Sequence, residues 1–70
     1  MKGRYRHYKG KEYEVIGIGR DSETLEDVVV YRALYDDARF GNNALWVRPK
    51  EEFFGDVEVN GKKKKRFEMV

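Results

Sequence analysis

A short polar run, Ser22–Glu26, contains the chain's only serine and threonine beside two carboxylates. Hydroxyl and carboxylate groups can hydrogen-bond a ligand that bears amines or hydroxyls. The same side chains can instead bond their own backbone, as they often do in a hairpin loop. Ser22, Glu23, Thr24 and Glu26 are therefore candidate ligand-binding residues, with a local structural role as the alternative.

A second candidate site combines aromatic and cationic side chains from distant parts of the sequence. In a groove of this kind, aromatic rings stack on bases and arginines bind phosphates or carboxylates. The alternative is that the aromatic residues belong to the core and that the arginines pair with Glu23 and Glu26. The candidate residues of the groove are Tyr5, His7, Tyr31, Arg32, Trp46 and Arg48.

A run of four lysines and an arginine lies near the C-terminal end of the sequence. Such a run contacts phosphates without sequence preference, and its affinity falls steeply as salt is added. The alternative is a solvated edge strand whose lysines prevent edge-to-edge aggregation. The candidate nucleic-acid residues are Lys62, Lys63, Lys64, Lys65 and Arg66.

Catalytic chemistry has little support, so the sequence leans against an enzyme. Ser22 and His7 could combine with a carboxylate, but no spacing supports this arrangement. The run from Gly17 to Ser22 lacks the third glycine and the following helix of a dinucleotide fingerprint. Asp21-Ser22-Glu23 lacks the glycine and the terminal glutamate of a calcium loop.

The size and composition predict a single domain, 1–70, with a small core that is marginal on its own. The chain has no cysteine, which excludes disulfides and thiolate metal sites, and its one histidine cannot hold zinc alone. No metal or cofactor is predicted. Packing of the ten aromatic residues, or self-association, must therefore supply the stability.

The sequence has no predicted membrane or export segment. No apolar run approaches the length of a membrane span, about 20 residues. The basic residues after Met1 lead into no apolar stretch of the kind that a signal peptide requires. We expect a cytoplasmic protein without a membrane partner.

Charge is segregated along the chain, although the net charge is only +2. Residues 1–11 carry five basic side chains and no acidic one, and residues 62–70 carry five basic and one acidic. Residues 12–61 carry twelve acidic and five basic side chains. Internal pairing with a soluble mixed surface is one interpretation. The other is a basic face, made from both ends, that attracts a polyanion.

Alternating and β-branched residues predict five or six short strands. Tyr13–Ile18 is a strand with Val15 and Gly17 on one face, and its glycines predict a bulge or a close backbone approach. Val28–Tyr31 has apolar residues on both faces, which predicts a strand covered on both sides. Further strands are predicted at residues 4–8 and 45–48.

The segments between the strands are turns, one loop and one helical turn. Residues 9–11 form a turn, and residues 36–43 form a loop. Pro49–Phe54 is a single helical turn that ends at Gly55. Asn60-Gly61 predicts a type I′ hairpin whose second strand runs to Phe67 and Met69. The fold class that fits is all-β: a small SH3-like, strongly bent antiparallel barrel.

The sequence also resembles a known family along nearly its whole length. The motifs of the resemblance are Gly3-x-Tyr5-x-His7-Tyr8-Lys9-Gly10-x-x-Tyr13-Glu14-Val15, Ser22-Glu23-Thr24-x-Glu26, Val29-Val30-Tyr31-Arg32-Ala33-Leu34-Tyr35, Trp46-Val47-Arg48-Pro49 with Phe53, and Arg66-Phe67. They are similar to the bacterial domain-of-unknown-function family 1653. The resemblance implies an SH3-like β-barrel and brings no established activity.

The sequence departs from the pattern of that family at two places. Asp21 stands where the family has a histidine before Ser-Glu-Thr, so a role there as a base or metal ligand does not carry over. The run of four lysines is more basic than the family pattern. A function that rests on these lysines would belong to this protein and not to the family.

Together these observations predict a non-catalytic binding module of unknown ligand. Its site would combine the Ser22–Glu26 run with Tyr5, His7, Arg32, Trp46 and Arg48. One alternative is a nucleic-acid-binding domain that uses both basic ends. Another is a protein-interaction or homo-oligomeric accessory domain, which the two-sided apolar strand suggests.

Overall fold

The computed structural model describes residues 2–70. The elements in chain order are β1 (Gly3–His7), β2 (Glu12–Arg20), β3 (Asp27–Ala33), β4 (Asp36–Asp37), β5 (Gly41–Asn42), β6 (Leu45–Pro49), α1 (Lys50–Phe53), β7 (Asp56–Val59), β8 (Lys62–Lys65) and β9 (Phe67–Met69). The main sheet has the strand order β6-β3-β2-β1-β9, and β4–β5 and β7–β8 form two small ribbons. All of these pairs are antiparallel. The predicted all-β class with one short helical turn is confirmed, while the SH3-like barrel type remains a prediction.

The central strand β3 forms because consecutive β-branched residues fit an extended backbone. Its side chains alternate, so that Val29, Tyr31 and Ala33 are buried on one face. Val28 and Val30, on the other face, are only half-buried. Within the described chain, β3 is therefore covered fully on one face, and the prediction of two covered faces is only partly met.

Aromatic packing makes the core, as a chain without disulfides requires. Phe53 of α1 is fully buried and stacks on Phe67 of β9, with ring centroids 4.0 Å apart and planes within 8° of parallel. Tyr5 and Tyr31 meet Phe53 edge-on at 5.4 and 5.2 Å. The single helical turn thus places the side chain that closes this face of the sheet.

A β-bulge in β2 changes which side chains share a face. Val15 lies opposite Tyr31, but the register then shifts, and Ile18 lies opposite Val29. Val15 and Ile18 consequently belong to the same face as the core. The glycines did signal this irregularity, but the predicted alternation that placed Val15 and Gly17 on one face is wrong, because Gly17 lies opposite Val30.

The Asn60-Gly61 hairpin is confirmed, with φ angles of 52° and 78°, as a type I′ turn requires. Its second strand is shorter than predicted, because β8 ends at Lys65. Phe67 and Met69 leave the hairpin and pair with His7 and Tyr5 of β1. Phe67 is buried because β9 pairs with β1, so the chain leaves the β7–β8 ribbon after Lys65.

Candidate functional site

The Ser22–Glu26 loop is closed by its own hydrogen bonds. The backbone N–H groups of Glu23 and Thr24 donate to Asp21 Oδ1 at 2.8 and 3.1 Å, and Glu26 N donates to Thr24 Oγ1 at 3.2 Å. The bonds from Thr24 and Glu23 lower the pKa of the Asp21 carboxyl. Asp21 thus acts as the acceptor that shapes the turn.

The loop is nevertheless exposed and borders an open cleft of about 460 Å³. Ser22, Glu23 and Thr24 line this cleft together with Val28 and Val47. A second open hollow, of about 480 Å³, is lined by Glu26 and Phe54 among other residues. The residues of the polar run therefore border two different hollows.

The residues of the predicted aromatic and cationic groove divide between the two faces of the sheet, because Tyr5 and Trp46 lie on the core side and Arg32 lies on the other. Tyr5 is only 6% exposed and is a core residue. Arg32 lies on the opposite face of β3 from Tyr31, and its Nε is 3.6 Å from Glu14 Oε1. Trp46 lies opposite Tyr31 on β6 and packs edge-on against Phe40, with centroids 5.0 Å apart.

The predicted pairing of the arginines with Glu23 and Glu26 is wrong. Arg32 pairs with Glu14, and Arg48 Nη1 donates to Glu52 Oε1 at 3.4 Å. The reason is positional, because Glu14 lies opposite Arg32 on β2, and Glu52 follows Arg48 by four residues at the start of α1.

His7, Tyr31 and Arg48 do come together, on the core side of the sheet. Two tyrosines that the sequence analysis did not select complete the group. Tyr13 meets the ring of Tyr31 at 5.3 Å and that of His7 at 6.4 Å, and its hydroxyl oxygen lies 2.6 Å from that of Tyr35. We refer to His7, Tyr13, Tyr31, Tyr35 and Arg48 as the tyrosine–arginine cluster.

Strand alternation contained a signal for the two missed tyrosines. Residues 31, 33 and 35 alternate along and just beyond β3, so Tyr35 follows the same side as Tyr31. Tyr13 lies opposite Ala33, which places it between them. The signal required the β2–β3 register, which the sequence does not specify by itself.

His7 is held as a neutral hydrogen-bond donor. Partial burial, followed by the positive charges of Arg48, Arg66 and Lys9, lowers its pKa below the usual 6.5. The backbone N–H of Lys9 donates to Nδ1 at 3.2 Å, so the proton of the neutral ring is on Nε2. Nε2 therefore presents an N–H group.

The phenol of Tyr13 is held in its neutral form. Burial and the hydrogen bond with Tyr35 raise its pKa above the usual 10.0, although the charge of Arg48 acts in the opposite direction. Because one of the two hydroxyls donates to the other, the accepting hydroxyl keeps its own proton free to donate.

Arg48 supplies the charge of the cluster. Burial alone would lower its pKa, but contacts with Tyr31 and Glu52 outweigh this effect and raise the pKa. Its Nε is buried and has no hydrogen-bond partner in residues 2–70. The cluster therefore contains an arginine, a neutral histidine N–H and phenol groups, against the single carboxylate of Glu52. An excess of donors over acceptors fits a ligand that carries an anionic group.

The two basic ends of the chain also meet, because β1 pairs with β9. Arg6, His7 and Tyr8 line a cleft of about 300 Å³ together with Lys64 and Glu68. All four lysines of β8 are exposed. Residues 2–70 contain no group of three or more metal-ligating side chains, and no helix in this range is long and apolar enough to cross a membrane.

Comparison with known proteins gives a matching family and a solved structure with a similar fold. The family described as "Protein of unknown function (DUF1653)" matches residues 3–69. The chain belongs to the DUF1653 family. Its fold is similar to the crystal structure of a DUF1653 protein from Bordetella bronchiseptica, at 36% identity and a TM-score of 0.86. That match covers 100% of this chain and 86% of the Bordetella chain. No curated protein matches this DUF1653 chain.

Proposed function

We propose that this DUF1653 domain is a non-catalytic binding module that binds the anionic group of its ligand at the tyrosine–arginine cluster. The observation that carries the proposal is the excess of hydrogen-bond donors beside Arg48. The Arg48 side chain is 31% exposed, and Glu52 Oε1 contacts only Nη1 of its guanidinium, at 3.4 Å. A carboxylate or phosphate satisfies such a group with paired, charge-assisted hydrogen bonds.

The cluster is arranged before any ligand arrives. Tyr13 packs against Tyr31 and Tyr35 with its ring edge-on to both, at 5.3 and 5.5 Å. The hydrogen bond between Lys9 and His7 fixes the tautomer of the imidazole. Groups that are already oriented lose little conformational entropy on binding, which favours affinity.

The test is a titration with inorganic phosphate and with benzoate, followed by amide and histidine chemical shifts. We expect shifts at His7, Tyr13 and Arg48 that disappear in Arg48→Gln. The matched control is Arg20→Gln. Arg20 is an exposed arginine at the end of β2 that pairs with Asp27, and it lies outside the tyrosine–arginine cluster. If both variants respond to phosphate as the unmodified domain does, the proposed site is wrong.

A second candidate function is self-association through the apolar edge strand β6. Leu45 and Val47 of the edge strand β6 are 63% and 65% exposed, and Val47 lies opposite the half-buried Val30. An exposed apolar edge strand is a template for pairing with a second chain. Sedimentation should show a dimer that Val47→Lys disrupts, and a monomer at all concentrations would contradict this second function.

A further inference from the structure

The tyrosine–arginine cluster continues into the cleft between the basic ends. His7 belongs to both, because it meets Tyr13 on one side and the ring of Tyr8 on the other, at 4.5 Å. Arg66 lies near both His7 and Arg48, since its charge acts on His7, its backbone carbonyl accepts the N–H of Tyr8 at 2.9 Å, and its Nε donates at 3.1 Å to the backbone carbonyl of Glu52, the residue that pairs with Arg48. Donors and cations thus follow one another from Arg48 past His7 and Arg66.

Lys64 extends this series, and it is distinct from its neighbours on β8. Lys65 Nζ lies 3.9 Å from Asp56 Oδ1, and Lys63 lies opposite Glu58. Lys64 lies opposite Val57, and it lines the cleft beside His7 and Tyr8. Its charge is therefore not offset across the ribbon and is directed to the cleft.

The other charged side chains of the cleft, Arg6 and Glu68, lie opposite each other. Arg6 donates to Glu12 at 3.1 Å and lies opposite Glu68, which also lines the cleft. Arg6 is thus largely neutralised by its own neighbours. The cations available to a ligand along this path are Arg48, Arg66 and Lys64, with Lys9 near the ring of Tyr8.

We infer that the ligand of this surface is a single-stranded nucleic acid. This inference rests on the proposed function, because one phosphate would occupy the tyrosine–arginine cluster. Further phosphates would follow Arg66 to Lys64, and the bases would stack on the rings of His7 and Tyr8. Only an unpaired strand offers base faces to aromatic rings that lie between the cations, as a duplex keeps these faces stacked internally.

The experiment compares four probes by calorimetry at low and physiological salt: thymidine monophosphate, a single-stranded oligothymidine of twelve nucleotides, a duplex of the same length, and polyglutamate. We expect the oligothymidine to bind at least about tenfold more tightly than the monophosphate, because it reaches two anion sites at once. Lys64→Gln should weaken the oligothymidine severalfold and reduce the salt slope by about 0.7. Lys63→Gln is the matched control and should change both quantities less.

The outcomes separate the inference from the proposed function. Equal binding of monophosphate and oligothymidine, or tighter binding of duplex or polyglutamate, would overturn the nucleic-acid inference and leave the anion site intact. Equal effects of Lys63→Gln and Lys64→Gln would mean unspecific attraction to the lysine run and would also overturn it. If no probe, inorganic phosphate included, perturbs the tyrosine–arginine cluster, the proposed function and the inference both fail.

Discussion

The hydroxyl oxygens of Tyr13 and Tyr35 lie 2.6 Å apart, so the two phenols share a hydrogen bond between β2 and the segment that follows β3. Lys11 caps the pair, with its Nζ 4.6 Å from the centre of the Tyr35 ring. This contact joins the tyrosine–arginine cluster to the turn between the first two strands. Its strength can be measured directly.

Tyr13→Phe and Tyr35→Phe should each lower the free energy of unfolding by about 0.5–1.5 kcal/mol, the usual net value of one hydrogen bond. The double variant should lose less than the two single variants together, because it leaves no half-buried hydroxyl without its partner. Urea unfolding of the four proteins measures this coupling. Strictly additive losses would mean that the two hydroxyls stabilise the fold independently.

The single histidine gives a prediction about acid stability. Because the pKa of His7 is lower in the folded state, the unfolded chain takes up a proton first as the pH falls below about 6.5. The free energy of unfolding should therefore decrease between pH 6.5 and the folded pKa, and His7→Gln should remove this decrease. The pKa values of the Asp21 and Asp37 carboxyls are also lower in the folded state, and their contribution to the free energy of unfolding is lost only as the pH falls below about 3.8.

NMR titration of the only imidazole signal provides the second measurement on His7. The midpoint should lie below 6.5 in the free domain and should rise when phosphate occupies the cluster, because the anion favours the imidazolium. Arg48→Gln should remove that dependence on phosphate. A midpoint at or above 6.5 in the free domain would contradict the environment described for His7.

Asp21 gives a prediction for the polar loop. Asp21→Ala removes the acceptor of two backbone N–H groups, so the midpoint of thermal unfolding should fall by a few degrees. Ser22→Ala is the matched control, since no hydrogen bond of its side chain occurs in residues 2–70, and it should leave the midpoint unchanged. Equal effects of the two changes would show that Asp21 does not hold the turn.

Gly55 gives a prediction about the end of the helical turn. A Cβ at this position would lie 2.7 Å from the backbone oxygen of Glu51, and a backbone atom cannot move aside cheaply. Gly55→Ala should therefore destabilise the domain by about 1–3 kcal/mol. Gly17→Ala, where a Cβ meets nothing within 4 Å, should be tolerated. Comparable losses in the two variants would show that the contact with the Glu51 carbonyl is not the cause.

Local chemistry explains what could be predicted from the sequence. Asn60-Gly61 forms its turn because these two residues tolerate positive φ, whatever surrounds them. The helical turn likewise begins directly after Pro49, whose φ of −51° its ring fixes, and it ends before Gly55, with Phe54 as the C-cap residue. Each of these features depends on a few neighbouring residues.

The parts that the sequence did not reveal depend on long-range register. The bulge between Val15 and Gly17 reverses the faces of the residues after it, and therefore Ile18 follows the core side. His7, Tyr31 and Arg48 were selected as one group and do lie together, whereas Arg32 faces away because it is one residue removed from Tyr31. The Ser22–Glu26 loop lies apart from them because it connects the other ends of β2 and β3.

The pairing of β9 with β1 has a consequence for how the chain reaches its native state. Phe67, which stacks on Phe53, reaches the core only when the last strand has joined the first. Contacts of such high sequence separation slow folding, because a long chain must close before they form. A nascent chain that has not yet released β9 from the ribosome leaves Phe53 without its stacking partner. We expect the sheet to assemble in one cooperative step, and only once β9 is free to pair with β1.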